Sequence, residues 1–320
     1  MDRNTITGFS LIFLILIGYY WYTAPTAEQQ AIFERQRDSI AKVEAAKVAS
    51  AQPKQASNAS VSSATTPVKD SALLNTLGGF ASQLQGTPGL VQLKSKELSI
   101  DIRTKGGNMG RVVLNNHRRS DSSALELLSN QINDNQWAFE IYTANGPLNS
   151  ADFYWHVIAQ SDNQVTLRLG DSSRYIDQIY SLSAEGFTVK HDLKMKGIDE
   201  IVKTRNSGIK ITWNAQLQKQ EKDMKWEKQN TTVVYRLHGE DADKLDLASP
   251  ASEELKNNLD WFGFKQQYFS AMMVADSGFS SDAKISWKET KDVNRIKNLQ
   301  AEVYVDFERQ PLKEYGFSYY

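Results

Sequence analysis

The sequence contains no cysteine. That excludes disulfides, thiolate-bound zinc, iron–sulfur clusters and cysteine nucleophiles. Charge of one sign is also missing: 37 Lys and Arg face 38 Asp and Glu, a formal net charge of −1. Such a balance argues against general attraction to phosphate backbones and gives no nucleic-acid partner. A mean hydropathy of −0.50 excludes a chain that is mostly membrane. No G-x-S-x-G, P-loop, dinucleotide glycine pattern or H-E-x-x-H occurs, so the common hydrolase, nucleotide and zinc signatures are absent. Aromatic residues at 10% and charged residues at 23% fit a folded chain, and 320 residues leave room for one large domain or two ordinary ones.

One uncharged run is present, Ile6 to Tyr22, ITGFSLIFLILIGYYWY, 17 residues long. As a helix it spans about 25 Å, the short end of a membrane crossing. Tyr19, Tyr20, Trp21 and Tyr22 close it as an interfacial aromatic belt. A buried core helix and a cleaved signal peptide are the competing readings. The bulky YYWY stands where a cleavage site needs small residues, so an uncleaved anchor fits best, with the short terminus inside. No second run of about 18 apolar residues follows.

After Pro25 the composition shifts. Residues 26–50 are rich in Ala, Glu, Gln, Lys and Arg and read as a solvated stalk helix; a coiled coil is the sharper alternative, but its apolar seam is sparse. From 51 to about 85, Ser, Ala, Thr, Asn and Gln dominate, and too little apolar surface exists to offset ordering entropy. This gives an anchor over 1–25, a stalk and flexible tether over 26–90, and a folded domain over 91–320.

In that domain the apolar period is two. Leu98, Ile100 and Ile102 alternate with Ser99, Asp101 and Arg103; Val165, Leu167 and Leu169 with Thr166 and Arg168; Phe187, Val189, His191, Leu193 and Met195 with Thr188, Lys190, Asp192 and Lys194. Val303, Val305 and Phe307 oppose Glu302, Tyr304 and Asp306. Each pattern predicts a strand with one wet face. Turn signals separate the strands, and YSLSAEGFTVK predicts a hairpin. Roughly 13–15 strands are expected, with a helical turn or two only within Glu240–Asn258, at ASEELKNN. The fold class is therefore all-β, a large antiparallel sandwich.

Candidate chemistry is thin. His117, His156, His191 and His238 are scattered, and His191 on an apolar strand face reads as a satisfied core residue. Gly106-Gly107-Asn108 reads as a tight turn, and Lys219–Lys228 as a solvated loop or edge. The stretch from Asp260 to Ala275 is unusual, with five aromatics in nine residues around Lys265. Phe264, Tyr268 and Phe269 read as core strand and turn; the functional alternative is a contact with a partner or a membrane surface. No catalytic, cofactor-binding or metal site is assigned, and no enzyme activity.

Two segments carry a resemblance. LSIDIRTKGGNMGRVVLNN (Leu98–Asn116) resembles the strand–glycine turn–strand with which the periplasmic domain of YidC-type membrane protein insertases begins. Trp261, Lys265, Tyr268 and Phe269 resemble the Trp-x-x-x-Lys-x-x-Tyr-Phe signature of that family. Met-Asp-x-Asn at the start, one anchor and an Ala/Gln/Ser tether complete the likeness to an amino-terminal half. The resemblance implies a galactose-mutarotase-like β-supersandwich in the periplasm, preceded by one transmembrane helix in the bacterial inner membrane. It implies an insertase and chaperone function, with nascent membrane proteins and the Sec translocon as partners, no cofactor, and Trp261, Lys265, Tyr268 and Phe269 as structural or partner-contact residues. The five further helices that carry insertion in that family are not in this sequence, which reads as a truncated chain. A periplasmic carbohydrate-binding or carbohydrate-active sandwich is the alternative, and it needs an aromatic cleft with histidines or paired carboxylates converging.

Overall fold

The computed structural model describes residues 78–131, 134–144, 146–203 and 208–320. The predicted anchor, with Tyr19, Tyr20, Trp21 and Tyr22, and the predicted stalk lie outside the described residues. No helix among the described residues is long and apolar enough to cross a membrane.

Nineteen strands form three antiparallel sheets among these residues. The first sheet has four strands in sequence order: β1 (Leu90–Lys94), β2 (Leu98–Arg103), β3 (Met109–Arg118) and β4 (Ala124–Leu128). The second has six: β14 (Ala251–Leu255), β17 (Ala283–Glu289), β18 (Arg295–Val305), β11 (Ile209–Gln218), β5 (Asn135–Thr143) and β6 (Gly146–Asn149). The third has nine: β13 (Ala242–Lys244), β12 (Thr232–Leu237), β15 (Leu259–Lys265), β16 (Ser270–Phe279), β19 (Leu312–Tyr319), β10 (Val189–Lys196), β9 (Tyr175–Leu182), β8 (Gln164–Gly170) and β7 (His156–Gln160).

The nine- and six-stranded sheets face each other because each sends one row of alternating apolar side chains inward. Ile209, Ile211, Trp213, Ala215 and Leu217 of β11 are all buried. Across the gap, Trp213 lies 4.7 Å from Phe264 and 5.8 Å from Tyr319 between ring centroids, and Trp137 lies 4.9 Å from His191. Truncating a buried Trp of this kind costs about 3–5 kcal/mol. The predicted hairpin forms between β9 and β10, with Val189 opposite Leu182. β19 pairs with β10 along its whole length, from Lys196–Leu312 to Val189–Tyr319.

Several expectations are corrected. ASEEL is not helical: Ala251–Leu255 is edge strand β14, paired to β17. Its middle three residues face solvent, so an edge position leaves no alternation to read. Lys219–Lys228 is not all loop. It contains a helix, α1 (Met224–Gln229), capped by Asp223, whose side chain accepts from Trp226 N at 3.0 Å. The polar side of β2 is not wet. Asp101 and Arg103 are buried, the first accepting from Asn130 Nδ2 at 2.6 Å, the second donating to Ser129 O and Asn135 O at 3.1 and 2.9 Å. Packing also begins before residue 91: Gly78–Leu84 forms a 3-10 turn that buries Phe80, and Gln83 Nε2 donates to the carbonyls of Tyr154 and Arg168.

The glycine turn is as expected, and its reason is visible. Gly107 has φ 64°, and a Cβ there would stand 2.8 Å from the Trp155 ring and against the Gln178 amide.

Candidate functional site

Where the four-stranded sheet meets the sandwich, an apolar cleft of about 320 Å³ opens. Leu98, Val112 and Leu114 of β2 and β3, with Leu127 and Leu128 of β4, form one wall. Trp213 and Tyr319 stand at the other wall, and His117, Phe187, Tyr268 and Phe269 are among the remaining lining residues. The His117 ring meets Phe187 and Phe269 edge-on, at 5.8 and 6.0 Å. A cleft of this size holds one or two large side chains. Its lining is mostly apolar, which suits it to an apolar group.

A polar strut fixes the turn between β15 and β16. Gln266 N donates to Phe269 O at 2.7 Å, closing the turn. The buried Gln266 amide donates to Gln218 O at 2.8 Å and to Glu227 Oε1 at 3.2 Å. Glu227, buried in α1, also accepts from the backbone N–H groups of Gln220 and Glu221, each at 3.1 Å. Burial raises the Glu227 pKa, and these backbone bonds oppose the rise. Arg119 Nε, at the foot of β3, donates to Gln220 Oε1 at 3.1 Å. Three sheets and α1 thus converge on one turn.

The structure separates the four signature residues. Tyr268 and Phe269 line the cleft. Tyr268 is corrected from core to surface, at 69% exposure, because the turn carries it past the end of the strand pairing. Lys265 ties the turn instead, its Nζ donating to the carbonyls of Asn230 and Gln266 at 3.3 Å each. Trp261 sits within β15, between Arg236 and Val274. Phe187, expected on a buried strand face, lies in the β9–β10 turn and is exposed.

The four histidines stand in different places. His156 is on edge strand β7, His238 is exposed beside Asp260 at 2.9 Å, and His117 is in the cleft. His191 is fully buried. Its ring stacks on Tyr180 at 4.1 Å; Nε2 donates to Gln178 Oε1 at 3.1 Å and Nδ1 accepts from the Tyr319 hydroxyl at 3.3 Å. Desolvation lowers its pKa to about 3, so it is a neutral core group. Lys297 was missed by sequence reasoning: it continues the inward row of β18, buried against the Trp287 ring at 3.4 Å. Its Nζ donates to Thr231 O and Leu247 O at 2.8 and 3.1 Å. Among the described residues, no group of three or more His, Asp and Glu is placed to hold a metal ion.

Comparison with known proteins gives a consistent picture. Residues 90–310 match the family described as the YidC periplasmic domain. The chain is 28% identical over 321 residues to the membrane protein insertase YidC of Bacteroides fragilis, covering 99% of this chain and 50% of that protein. With the membrane protein insertase YidC of Parabacteroides distasonis it shares 26% identity over 328 residues, covering 100% of this chain and 51% of that protein. The chain therefore spans about half the length of the curated relatives it matches. Among solved structures, a galactose mutarotase-like protein from Lactobacillus casei is similar at 9% identity and a TM-score of 0.46, covering 72% of this chain and 99% of that one.

Proposed function

This chain belongs to the YidC periplasmic-domain family, and from that membership we propose that it forms the amino-terminal part of a membrane protein insertase of the bacterial inner membrane. In this reading Ile6–Tyr22 is the anchor and the all-β domain is periplasmic, a supersandwich of the mutarotase-like kind. Its clients are nascent membrane proteins, handled alone or with the Sec translocon. The part is non-enzymatic: it tethers the machine and supplies an accessory binding domain. The observation that carries the reading is the family match across nearly the whole β domain, with relatives of the same name aligned over almost all of the chain. The cleft supports it, since an apolar recess beside Phe187 and Phe269 suits an apolar segment of a client or partner better than a polar substrate.

Depletion of the gene product in its own cells is the test. Newly made inner-membrane proteins should lose their protease-protected insertion while exported soluble proteins mature normally. Unchanged insertion on depletion would overturn the reading. A single cysteine at the exposed position 312, Leu312→Cys, that a membrane-impermeant maleimide cannot label in spheroplasts, where the outer face of the inner membrane is open, would overturn its periplasmic placement.

A further inference from the structure

The strand register gathers one set of loops at one end of the sandwich. Val189 pairs with both Leu182 and Tyr319, and Lys265 with both Ser270 and Thr232, so these residues mark one end of the nine-stranded sheet. Gln218 opposite Arg295, and Glu289 opposite Lys297, mark an end of the six-stranded sheet. The two ends are the same end of the molecule, because Gln266 Nε2 donates to Gln218 O at 2.8 Å and Lys297 Nζ to Thr231 O at 2.8 Å across the gap.

Ten large apolar side chains are exposed among the described residues, and five of them stand here: Phe187, Trp226, Tyr268, Val293 and Tyr320. Val293, at the tip of the β17–β18 hairpin, is 78% exposed, and Trp226, on α1, is 56% exposed. Apolar side chains left singly on a surface need no cause; half of them collected at one end mark a contact. Lysines are interleaved with them: Lys222, Lys225 and Lys228 around Trp226, and Lys288 and Lys291 beside Val293. Glu221, Asp223, Glu227, Glu289 and Asp292 share the two segments, and with Lys219 the lysines outnumber the carboxylates by six to five; Glu227 is buried, which leaves the lysines in excess on the surface.

We propose that this end of the sandwich rests on the surface of an anionic lipid bilayer, with Trp226, Tyr268 and Val293 at headgroup depth. Protein interfaces are depleted of lysine at their centres, whereas here lysines surround the aromatic tips. That mixture fits the bilayer interface, where Trp and Tyr keep a polar tip wet and lysine stems bury their methylenes while the ammonium reaches lipid phosphate. Strand ends and short loops can lie on such a surface without opening a sheet edge to lipid.

The absence of cysteine makes the test clean. Single cysteines are placed at Val293→Cys, Tyr268→Cys and Leu312→Cys, the last exposed at the opposite end of β19. Each is labelled with an environment-sensitive fluorophore, and the full chain is reconstituted in vesicles of phosphatidylcholine with about a third phosphatidylglycerol. Headgroup-level nitroxide lipid should quench the labels at 293 and 268 at least about twofold and spare the label at 312. Replacing Lys222, Lys225 and Lys291 by Gln, or omitting the anionic lipid, should weaken that quenching. Equal quenching at all three sites, or none, overturns the proposal. A blue shift at 293 and 268 without lipid quenching, growing with protein-to-lipid ratio, means a protein or a second copy covers this end and also overturns it. A label-free arm uses brominated lipid, which should quench a part of the tryptophan emission that Trp226→Phe removes; no difference between the two proteins counts against the proposal.

Discussion

The buried imidazole of His191 should make the domain lose stability in mild acid. In the fold its pKa falls to about 3, because burial removes the water that would stabilise an imidazolium and no carboxylate replaces it. In the unfolded chain it titrates near 6.5. The folded pKa is thus the lower of the two. Between them the unfolded state binds the extra proton, so the contribution is complete above about pH 6.5 and is lost as pH falls toward about 3. Integrated from about pH 7.5 to about pH 5, the loss is about 2 kcal/mol, or about 4–8 °C in melting temperature for a domain of this size. Buried carboxyls such as Glu227, whose pKa is raised, run the other way, so the effect must be isolated. His191→Phe does this. It keeps the ring stack on Tyr180 but leaves the Tyr319 hydroxyl without its acceptor and Gln178 Oε1 with the Tyr180 hydroxyl alone, which costs about 1–3 kcal/mol at every pH. Urea unfolding followed by tryptophan fluorescence, with the chain in detergent, measures both proteins at both pH values. The gap between them should shrink by about 2 kcal/mol on going to about pH 5. Parallel losses, with the gap constant within about 0.5 kcal/mol, would refute the claim that the folded imidazole resists protonation.

Other substitutions test the packing around the cleft. Gly107→Ala should cost more than about 3 kcal/mol, since it strains a positive φ and drives a methyl into Trp155; a melting scan checks it. Lys297→Met should cost about 1–3 kcal/mol by leaving the carbonyls of Thr231 and Leu247 without their donor, read as a lower denaturation midpoint. Glu227→Gln should cost a similar amount, because an amide turns donors toward the N–H groups of Gln220 and Glu221. Tyr268→Ala should leave the midpoint within about 0.5 kcal/mol, and a larger fall would contradict its placement outside the core.

What could be read from the sequence was what two-residue alternation encodes. β8, β10 and β18 each keep an apolar row inward and a polar row outward, so their faces and the β9–β10 hairpin were legible. β14 was not, because an edge strand exposing Ser252, Glu253 and Glu254 has no buried face to alternate with. Arg103 and Asp101 were misread for the opposite reason: their partners, Asn130 and the carbonyls of Ser129 and Asn135, come from the β4–β5 connection and the start of β5, which local pattern cannot see. A signal for α1 was present in Asp223 as a cap before Trp226, but six residues are too few for a helical period to show. Lys297 carried no signal. It interrupts an apolar row, and what accepts it there, the Trp287 ring and the carbonyls of Thr231 and Leu247, comes from other segments.

The signature from Trp261 to Phe269 gains a physical meaning from this arrangement. β15 delivers Phe262 and Phe264 into the core, and the chain must then reverse within four residues to begin β16. A reversal carrying aromatic side chains would expose all of them unless something outside the hairpin fixed its geometry. Here Lys265 and Gln266 supply that hold, reaching the carbonyls of Asn230 and Gln218 and the carboxylate of Glu227. With those polar groups satisfied, the turn can leave Tyr268 in water and aim Phe269 at the cleft at little cost. The polar members of the motif thus position its aromatic members, and the same anchoring links the cleft to α1, whose Trp226 stands at the proposed bilayer contact. A ligand in the cleft and a lipid surface under α1 would then bear on one shared turn, so occupancy of either should change hydrogen exchange at Gln266–Phe269.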